Sequence, residues 1–358
     1  MPQARPPGEL GPDRLERDPL DPRIVRYLER RSGEGLRVRS VQPLAGDAST
    51  RRYYRVVLSE GTGATSLVLA LMPEPFEPER ESFLNVARLF AEIPVRIPTL
   101  YDVSGPEGIL LLEDCGDQLL QRLVEQAGRE TGSDVSDLYD VYVSALEILA
   151  RIQSRGAELE SASYLPYGIA FDEEKLSWEL GYFRRHFLEG FRQVSLTASE
   201  KDSLHDSFSR IVGEVAGLPR VLCHRDYHSR NLMVAGGELV VLDFQDARMG
   251  PVSYDLVSLL RDSYVGLDDD FVEEMATQFC SVSSHVSLRS LQDEFDLVAL
   301  QRNLKALGTF GYQCSVRGES VYEQHIPRTL ELVRANLSRS PRWDGLRRTL
   351  AAHVPELA

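Results

Sequence analysis

Lysine is almost missing from this 358-residue chain. Only Lys175, Lys201 and Lys305 are present, so the positive charge of residues 1–174 rests on arginine alone. Cysteine is scarce too: Cys115, Cys223, Cys280 and Cys314 are scattered. Without a C-x-x-C pair they exclude a zinc ribbon or a dithiol redox centre and read as reduced thiols. No apolar run approaches the roughly 18 residues that span a bilayer, and the N-terminus carries no apolar secretory region. The expectation is therefore a cytoplasmic protein with no membrane partner. Positive charge is short overall, with 40 Lys and Arg against 55 Asp and Glu and a net charge of −15, which argues against nucleic-acid binding. There is no internal repeat.

What is present is ordinary globular material, 42% hydrophobic and 27% charged, and long enough for two lobes. Its chemistry concentrates in one stretch. A short apolar strand at residues 221–223 ends in a polar loop, His224-Arg225-Asp226-Tyr227-His228-Ser229-Arg230-Asn231. Two apolar runs follow, residues 231–234 and 239–242, joined by Gly236-Gly237 as a hairpin turn. The second run ends at Asp243. Phosphoryl transfer needs positioning and charge neutralisation more than covalent help. One carboxylate must orient the attacking hydroxyl or accept its proton; an amide oxygen and a second carboxylate must hold the Mg²⁺ that bridges the nucleotide phosphates. Asp226, Asn231 and Asp243 fit these roles in that order, and His224 fits as a brace for the loop. Asp and Asn are common turn-formers when taken singly, so the signal lies in the joint spacing.

These residues resemble the catalytic centre of the aminoglycoside/choline phosphotransferase families, which share the protein-kinase-like fold. The run from His224 to Met233, then Leu242-Asp243-Phe244-Gln245-Asp246-Ala247, Gly250-Pro251 and residues 254–262, is similar in wording to a narrower group, the bacterial anomeric N-acetylmuramate/N-acetylglucosamine kinases of cell-wall recycling. The resemblance implies an α+β fold of two lobes, a small β-rich N-lobe and a larger, mainly helical C-lobe. It implies ATP and Mg²⁺ as cofactors, a small-molecule sugar as acceptor and the sugar 1-phosphate as product. The domain expectation is a loose tail at 1–22, an N-lobe at 23–114 and a C-lobe at 115–358.

In the N-lobe, residues 23–31 read as a short helix with Ile24, Tyr27 and Leu28 on one face. Residues 36–41, 53–58 and 66–72 read as strands. Between the first two strands, Gly46-Asp47-Ala48-Ser49-Thr50-Arg51-Arg52-Tyr53 can form a loop offering backbone N–H groups to phosphate. It resembles the corresponding segment of the sugar kinases, which implies nucleotide contacts from Ser49, Thr50, Arg51 and Arg52. The third strand should then carry a lysine for the α- and β-phosphates, and residues 66–72 have none. Either the protein is a pseudokinase or an arginine, Arg51 or Arg52, replaces the lysine, since its planar fork pairs phosphate oxygens well. Residues 78–92 read as a helix, on which Glu81 is expected to be solvated in the absence of a lysine partner. The apolar run 109–112 leading to Glu113-Asp114-Cys115-Gly116 resembles the hinge between kinase lobes. That implies adenine contacts from backbone groups near Glu113 and Cys115.

Beyond the hinge the pattern turns helical at 137–154, 172–187, 199–216, 253–264, 271–282, 291–313 and 322–337. Trp178, Tyr182, Phe183 and Phe187 read as a core stripe. Asp255 has two readings, an anchor for the catalytic loop by resemblance or a charge favoured at a helix N-terminus. The short interval from Asp243 to Asp255 leaves no room for a protein-kinase activation loop, so no protein substrate is expected. Asp262, Gln301 and Arg302 are acceptor-site candidates, and Arg302 or Arg261 is a candidate cation for the lactyl carboxylate of a muramyl sugar. Three rival readings stand at this point: another hydroxylated acceptor such as an aminoglycoside or choline, a catalytically inactive nucleotide-binding module, and a purely structural protein.

Overall fold

The computed structural model describes residues 20–44, 51–59, 65–128 and 135–358. Most of the expected tail at 1–22, and Ser49 and Thr50 of the expected phosphate loop, lie outside the described residues. The chain forms two compact units, one from Met1–Glu81 with Pro98–Cys115 and one from Ser82–Ile97 with Gly116–Ala358.

The first unit is a helix on a sheet. Helix α1 (Pro22–Gly33) starts where its sequence directs: the Asp21 side chain accepts from Arg23 N at 3.0 Å, and Pro22 occupies the first turn, where a missing N–H does no harm. The bond from Arg23, with the Arg52 guanidinium nearby, holds the Asp21 carboxyl at about 2. Ile24, Tyr27 and Leu28 are buried, as their spacing requires, against Tyr54, Val56, Leu69, Leu71 and Leu111 of the sheet. Strands β1 (Val38–Pro43), β2 (Arg52–Leu58), β3 (Ser66–Leu71), β4 (Leu100–Ser104) and β5 (Ile109–Glu113) pair antiparallel in the order β1-β2-β3-β5-β4. Register places Tyr54 opposite Leu69 and Leu69 opposite Leu111, through the middle of the core.

The second unit holds the remaining α-helices and two short pairs of strands. Helix α2 (Ser82–Glu92) belongs to it, although the sequence reading places this segment in the N-lobe. The reason is aromatic: Phe83 and Phe90 lie 4.8 Å and 5.5 Å, centroid to centroid, from Phe244, the residue after Asp243. Asn85 reinforces this, donating to Ser163 O at 2.9 Å and accepting from Leu165 N at 2.8 Å. Helices α3 (Leu120–Ala127), α4 (Val135–Glu158), α5 (Glu173–Tyr182) and α6 (Ala198–Ala216) follow. Strand β6 (Arg220–Cys223) pairs with β9 (Arg248–Pro251), and between them β7 (Leu232–Ala235) pairs with β8 (Glu238–Val241). Gly236 and Gly237 join β7 and β8 at φ +62° and +83°, the left-handed pair a tight two-residue hairpin needs. Helices α7 (Tyr254–Leu260), α8 (Asp269–Val282), α9 (Leu288–Ser315), α10 (Ile326–Ser338) and α11 (Asp344–Ala351) complete the unit.

One departure from regular helix positions the site. After Tyr182 the chain continues as a π-helix over Phe183–Phe191, where the sequence periodicity predicts an α-helix to 187. Helix α9 lies against this segment with almost no side chain between. A Cβ at Gly308 would stand 2.7 Å from Phe183 N, and one at Gly311 would stand 2.5 Å from His186 O. Two glycines one turn apart thus allow close backbone approach and set the depth at which α9 is held. We predict that Gly308→Ala destabilises the fold by about 1–3 kcal/mol, the usual range for overpacking, read as a fall in the urea midpoint. An unchanged midpoint would show that the helix pair is free to separate.

Candidate active site

The loop of residues 224–231 leaves β6 at Cys223 and returns as β7. Its shape is set by one carboxylate. Asp255, in the first turn of α7 and 0% exposed, accepts from His224 N at 2.6 Å and from Arg225 N at 2.9 Å. Each oxygen takes one donor, so two consecutive peptides are pinned. Arg225 sits at φ +89°, in the left-handed region that a non-glycine residue rarely enters. Burial pushes the Asp255 carboxyl up to about 7, against the downward pull of the two N–H bonds. Of the two readings the sequence leaves for Asp255, the geometry supports the anchor.

His224 is the second brace. It is fully buried, and burial lowers its imidazole to about 4, so the ring is neutral at physiological pH. A carbonyl can only accept, so Nε2–H donates to Leu242 O at 2.9 Å. That bond ties the loop to the residue before Asp243. Leu242 N in turn donates to Asn231 O at 2.9 Å, next to the register pair Leu232 and Val241. Asn231 and Asp243 are therefore brought to the same end of the β7–β8 hairpin. Asp243 itself is left-handed at φ +58°, with Gln245 Nε2 donating to its Oδ1 at 2.7 Å, and Phe244 beside it is buried against α2.

Asp226 follows the strained Arg225. Burial pushes its carboxyl up, but Lys305 outweighs this with help from Arg225, His228 and Arg302, and holds it well below the usual carboxylate range. Lys305 Nζ lies 3.0 Å from Oδ1, and Arg225 Nε lies 3.5 Å from Oδ2. Arg225 also pairs with Asp246. Asn231 Nδ2 donates to Asp226 O at 2.8 Å, which commits the nitrogen end of that amide and leaves its oxygen as the end with affinity for a cation. The Asn231 amide oxygen and the Asp243 carboxylate are hard oxygen donors without sulfur or a basic imidazole, the chemistry that suits Mg²⁺. Among the described residues no cluster of three or more His, Cys, Asp or Glu is placed to hold a metal. A Mg²⁺ held by one or two protein carboxylates, with phosphates and waters filling the rest, needs none.

The four expected acceptor residues fall in four different settings. Asp262, 1% exposed, spends its oxygens on the chain: Oδ2 accepts from Ser229 N at 3.0 Å and Ser229 Oγ at 2.6 Å, and Oδ1 accepts from Tyr264 N at 2.8 Å. It is a third pin on the catalytic loop, a task the sequence reading did not assign to it. Gln301 is buried and donates to Glu179 Oε2 at 2.9 Å, while Glu179 Oε1 lies 3.3 Å from Lys175 Nζ. Arg261 is neutralised by Asp269 at 2.6 Å. Arg302 is 4% exposed, its Nε, like that of Arg261, is buried with no hydrogen-bond partner among the described residues, and its charge acts through space on Asp226, Asp255 and Asp262.

In the first unit, Arg51 Nη2 lies 3.4 Å from Glu81 Oε1, each side chain 13% exposed. Glu81 is thus half of a shielded ion pair, a correction to the solvated role expected of it. Arg52 is 57% exposed and pairs with Asp21 at 2.6 Å. Arg55 makes a two-point contact with Asp114, 2.6 Å and 3.0 Å. Glu113 N donates to Thr99 O at 2.8 Å and its carboxylate accepts from Thr99 N and Oγ1, so the Glu113 N–H and side chain serve the sheet. Cys115 Sγ lies 4.0 Å from Glu113 O. Sequence reasoning missed Lys305, because nothing in a polar helical stripe marks the one lysine that reaches back to a loop 79 positions away.

A protein-family model described as a phosphotransferase enzyme family matches residues 40–291, well over half of the chain. This chain belongs to the phosphotransferase enzyme family. A relative from Pseudomonas aeruginosa is 30% identical over 316 residues, covering 87% of each chain, and is named N-acetylmuramate/N-acetylglucosamine kinase. One of the same name from Neisseria meningitidis serogroup B is 29% identical, covering 81% of this chain and 83% of its own. Among solved structures, an aminoglycoside phosphotransferase bound to ADP superposes with a TM-score of 0.59 at 13% identity, over 87% of this chain and 98% of that one. A choline/ethanolamine kinase family protein from Mesorhizobium loti gives 0.56 at 16% identity, over 88% and 92%. The kinase-like fold, β-rich first and largely helical after, is thereby shown, and the phosphotransferase is an enzyme. No helix among its described residues is long and apolar enough to cross a membrane.

The two backbone bonds at Asp255 give a direct prediction. Asp255→Ala orphans one buried and one part-buried N–H donor at about 1–3 kcal/mol each, so stability should fall by roughly 2–6 kcal/mol in thermal or urea unfolding. A variant as stable as the parent would mean that the loop holds its shape without this anchor.

Proposed function

We propose that this phosphotransferase is an ATP- and Mg²⁺-dependent kinase of N-acetylmuramate and N-acetylglucosamine that phosphorylates the anomeric hydroxyl to give the sugar 1-phosphate. The observation that carries the reaction type is Asp226, an ionised carboxylate on a loop locked by Asp255, with Asn231 and Asp243 gathered at the neighbouring hairpin end. The acceptor rests on the names of relatives that match most of the chain.

In this reading Asp226 orients the acceptor hydroxyl and takes its proton as the oxygen bonds to the γ-phosphorus and the β–γ bridge breaks to release ADP. The Asn231 amide oxygen and the Asp243 carboxylate would hold Mg²⁺, whose chemistry is to neutralise the phosphate oxygens. His224, neutral and committed to Leu242 O, braces the loop. Arg51 supplies the phosphate-facing cation that the third strand lacks, steadied by Glu81 as a strand lysine is steadied by its helix glutamate. Ser49 and Thr50, with backbone near Glu113 and Cys115, serve nucleotide binding, and Gln301 supports the acceptor side through Glu179. For a muramyl carboxylate Arg302 is the better partner, because the Arg261 charge is already paired with Asp269 through Nη1.

Two expected outcomes check this. With a panel of N-acetylmuramate, N-acetylglucosamine, aminoglycosides and choline, ADP release should be confined to the amino sugars. Within that panel Arg302→Ala should lower kcat/KM for the muramyl sugar by about 10–100-fold relative to N-acetylglucosamine, as fits one lost charge-assisted hydrogen bond. Release with choline or an aminoglycoside alone would move the acceptor class, and an unchanged sugar preference would remove Arg302. On the nucleotide side, Arg51→Ala should raise the KM for ATP by about tenfold or more and Arg52→Ala by less than about threefold. Equal effects would break the assignment of Arg51.

A further inference from the structure

Helix α9 brings a single ammonium group to the reacting carboxylate. Lys305 Nζ is 3.0 Å from Asp226 Oδ1, and the two side chains are 18% and 21% exposed, so the pair is open to a substrate and not sealed in the core. The helix is held at a fixed depth, since Gly308 and Gly311, at the next turn, lie in near-backbone contact with Phe183–Phe191. Lys305 therefore reaches the loop from a rigid support. It is also one of three lysines in a chain of net charge −15, and its partner is the residue read above as the base.

An acceptor hydroxyl that hands its proton to Asp226 sits about 2.7 Å from a carboxylate oxygen. The ammonium on that same carboxylate is then within about 5 Å of the attacking oxygen, inside the range of a flexible four-carbon stem. As that oxygen approaches phosphorus, negative charge spreads over three phosphoryl oxygens beside it. A fixed cation aimed there acts where charge develops. We propose that Lys305 is a catalytic residue that binds the phosphoryl group during transfer. The new bond forms between acceptor oxygen and γ-phosphorus; the β–γ bridging oxygen leaves with ADP; the hydroxyl proton passes to Asp226. Lys305 keeps its protons throughout and swings one N–H from Asp226 Oδ1 to a phosphoryl oxygen.

The inference rests on Asp226 being the base, and a four-enzyme comparison separates the two ideas. Single-turnover transfer from γ-labelled ATP to the amino sugar is measured for the wild type, Lys305→Met, Asp226→Asn and the double variant, with both KM values. Lys305→Met should lose about 10²–10³-fold in rate with both KM values within about threefold, the effect of removing one transition-state donor. The double variant should be at least about tenfold slower than Asp226→Asn, because Lys305 has a target of its own. If the double variant only matches Asp226→Asn, Lys305 acts solely through that carboxylate and the proposal fails; it fails equally if Lys305→Met turns over like the wild type. Should Lys305→Met alone not fold, leaving a lone carboxylate, the comparison within the Asp226→Asn background contains no such charge and still decides. Undiminished transfer by Asp226→Asn would instead overturn the base assignment.

Discussion

The grip of one buried carboxylate on two successive peptides organises the catalytic face of this protein. The bonds from His224 N and Arg225 N to Asp255 offset the left-handed conformation of Arg225 and aim Asp226. The other pins are spaced around that grip. Asp262 holds Ser229, His224 holds Leu242 O, and Leu242 N holds Asn231 O. The loop carries its chemistry on side chains whose backbone is fixed at four separate points.

Charge is arranged with the same economy. Burial would push the Asp226 carboxyl up, and Lys305 with Arg225 reverses the sign, keeping an acceptor for protons ionised in a shielded place. At His224, next but one along the chain, burial outweighs the upward pull of Asp226 and keeps the ring neutral, down to about 4. Two titratable groups two residues apart are thereby separated into a charged one that can act and an uncharged one that holds. In the first unit the scarcity of lysine is met by arginine, and the Arg51–Glu81 pair keeps a cation immediately before β2.

Much of this was legible in the sequence because its signals are local. The H-x-D-x-x-x-x-N spacing, the Gly236-Gly237 turn and the apolar face of α1 each lie within a dozen residues, and the structure carries all three. Strand β4 was missed because Leu100-Tyr101-Asp102-Val103-Ser104 has two polar residues and no run to mark it. The placement of α2 was missed because its amphipathic face says only that a partner exists, while Phe244 decides which one. Asp262 and Lys305 were misjudged or overlooked for a shared reason. A buried carboxylate facing N–H donors and a lysine facing a distant carboxylate look, in one dimension, like any other polar residue on a helix.

The central claim is that Asp226 takes part in transfer itself and not merely in holding the loop. The rate of phosphoryl transfer to N-acetylglucosamine by Asp226→Asn, measured with enough enzyme to see slow turnover, tests it most directly. The account predicts a fall of about 10²–10⁴-fold, the range for loss of a positioned base, with melting temperature and nucleotide affinity kept. Transfer at the parent rate would contradict it.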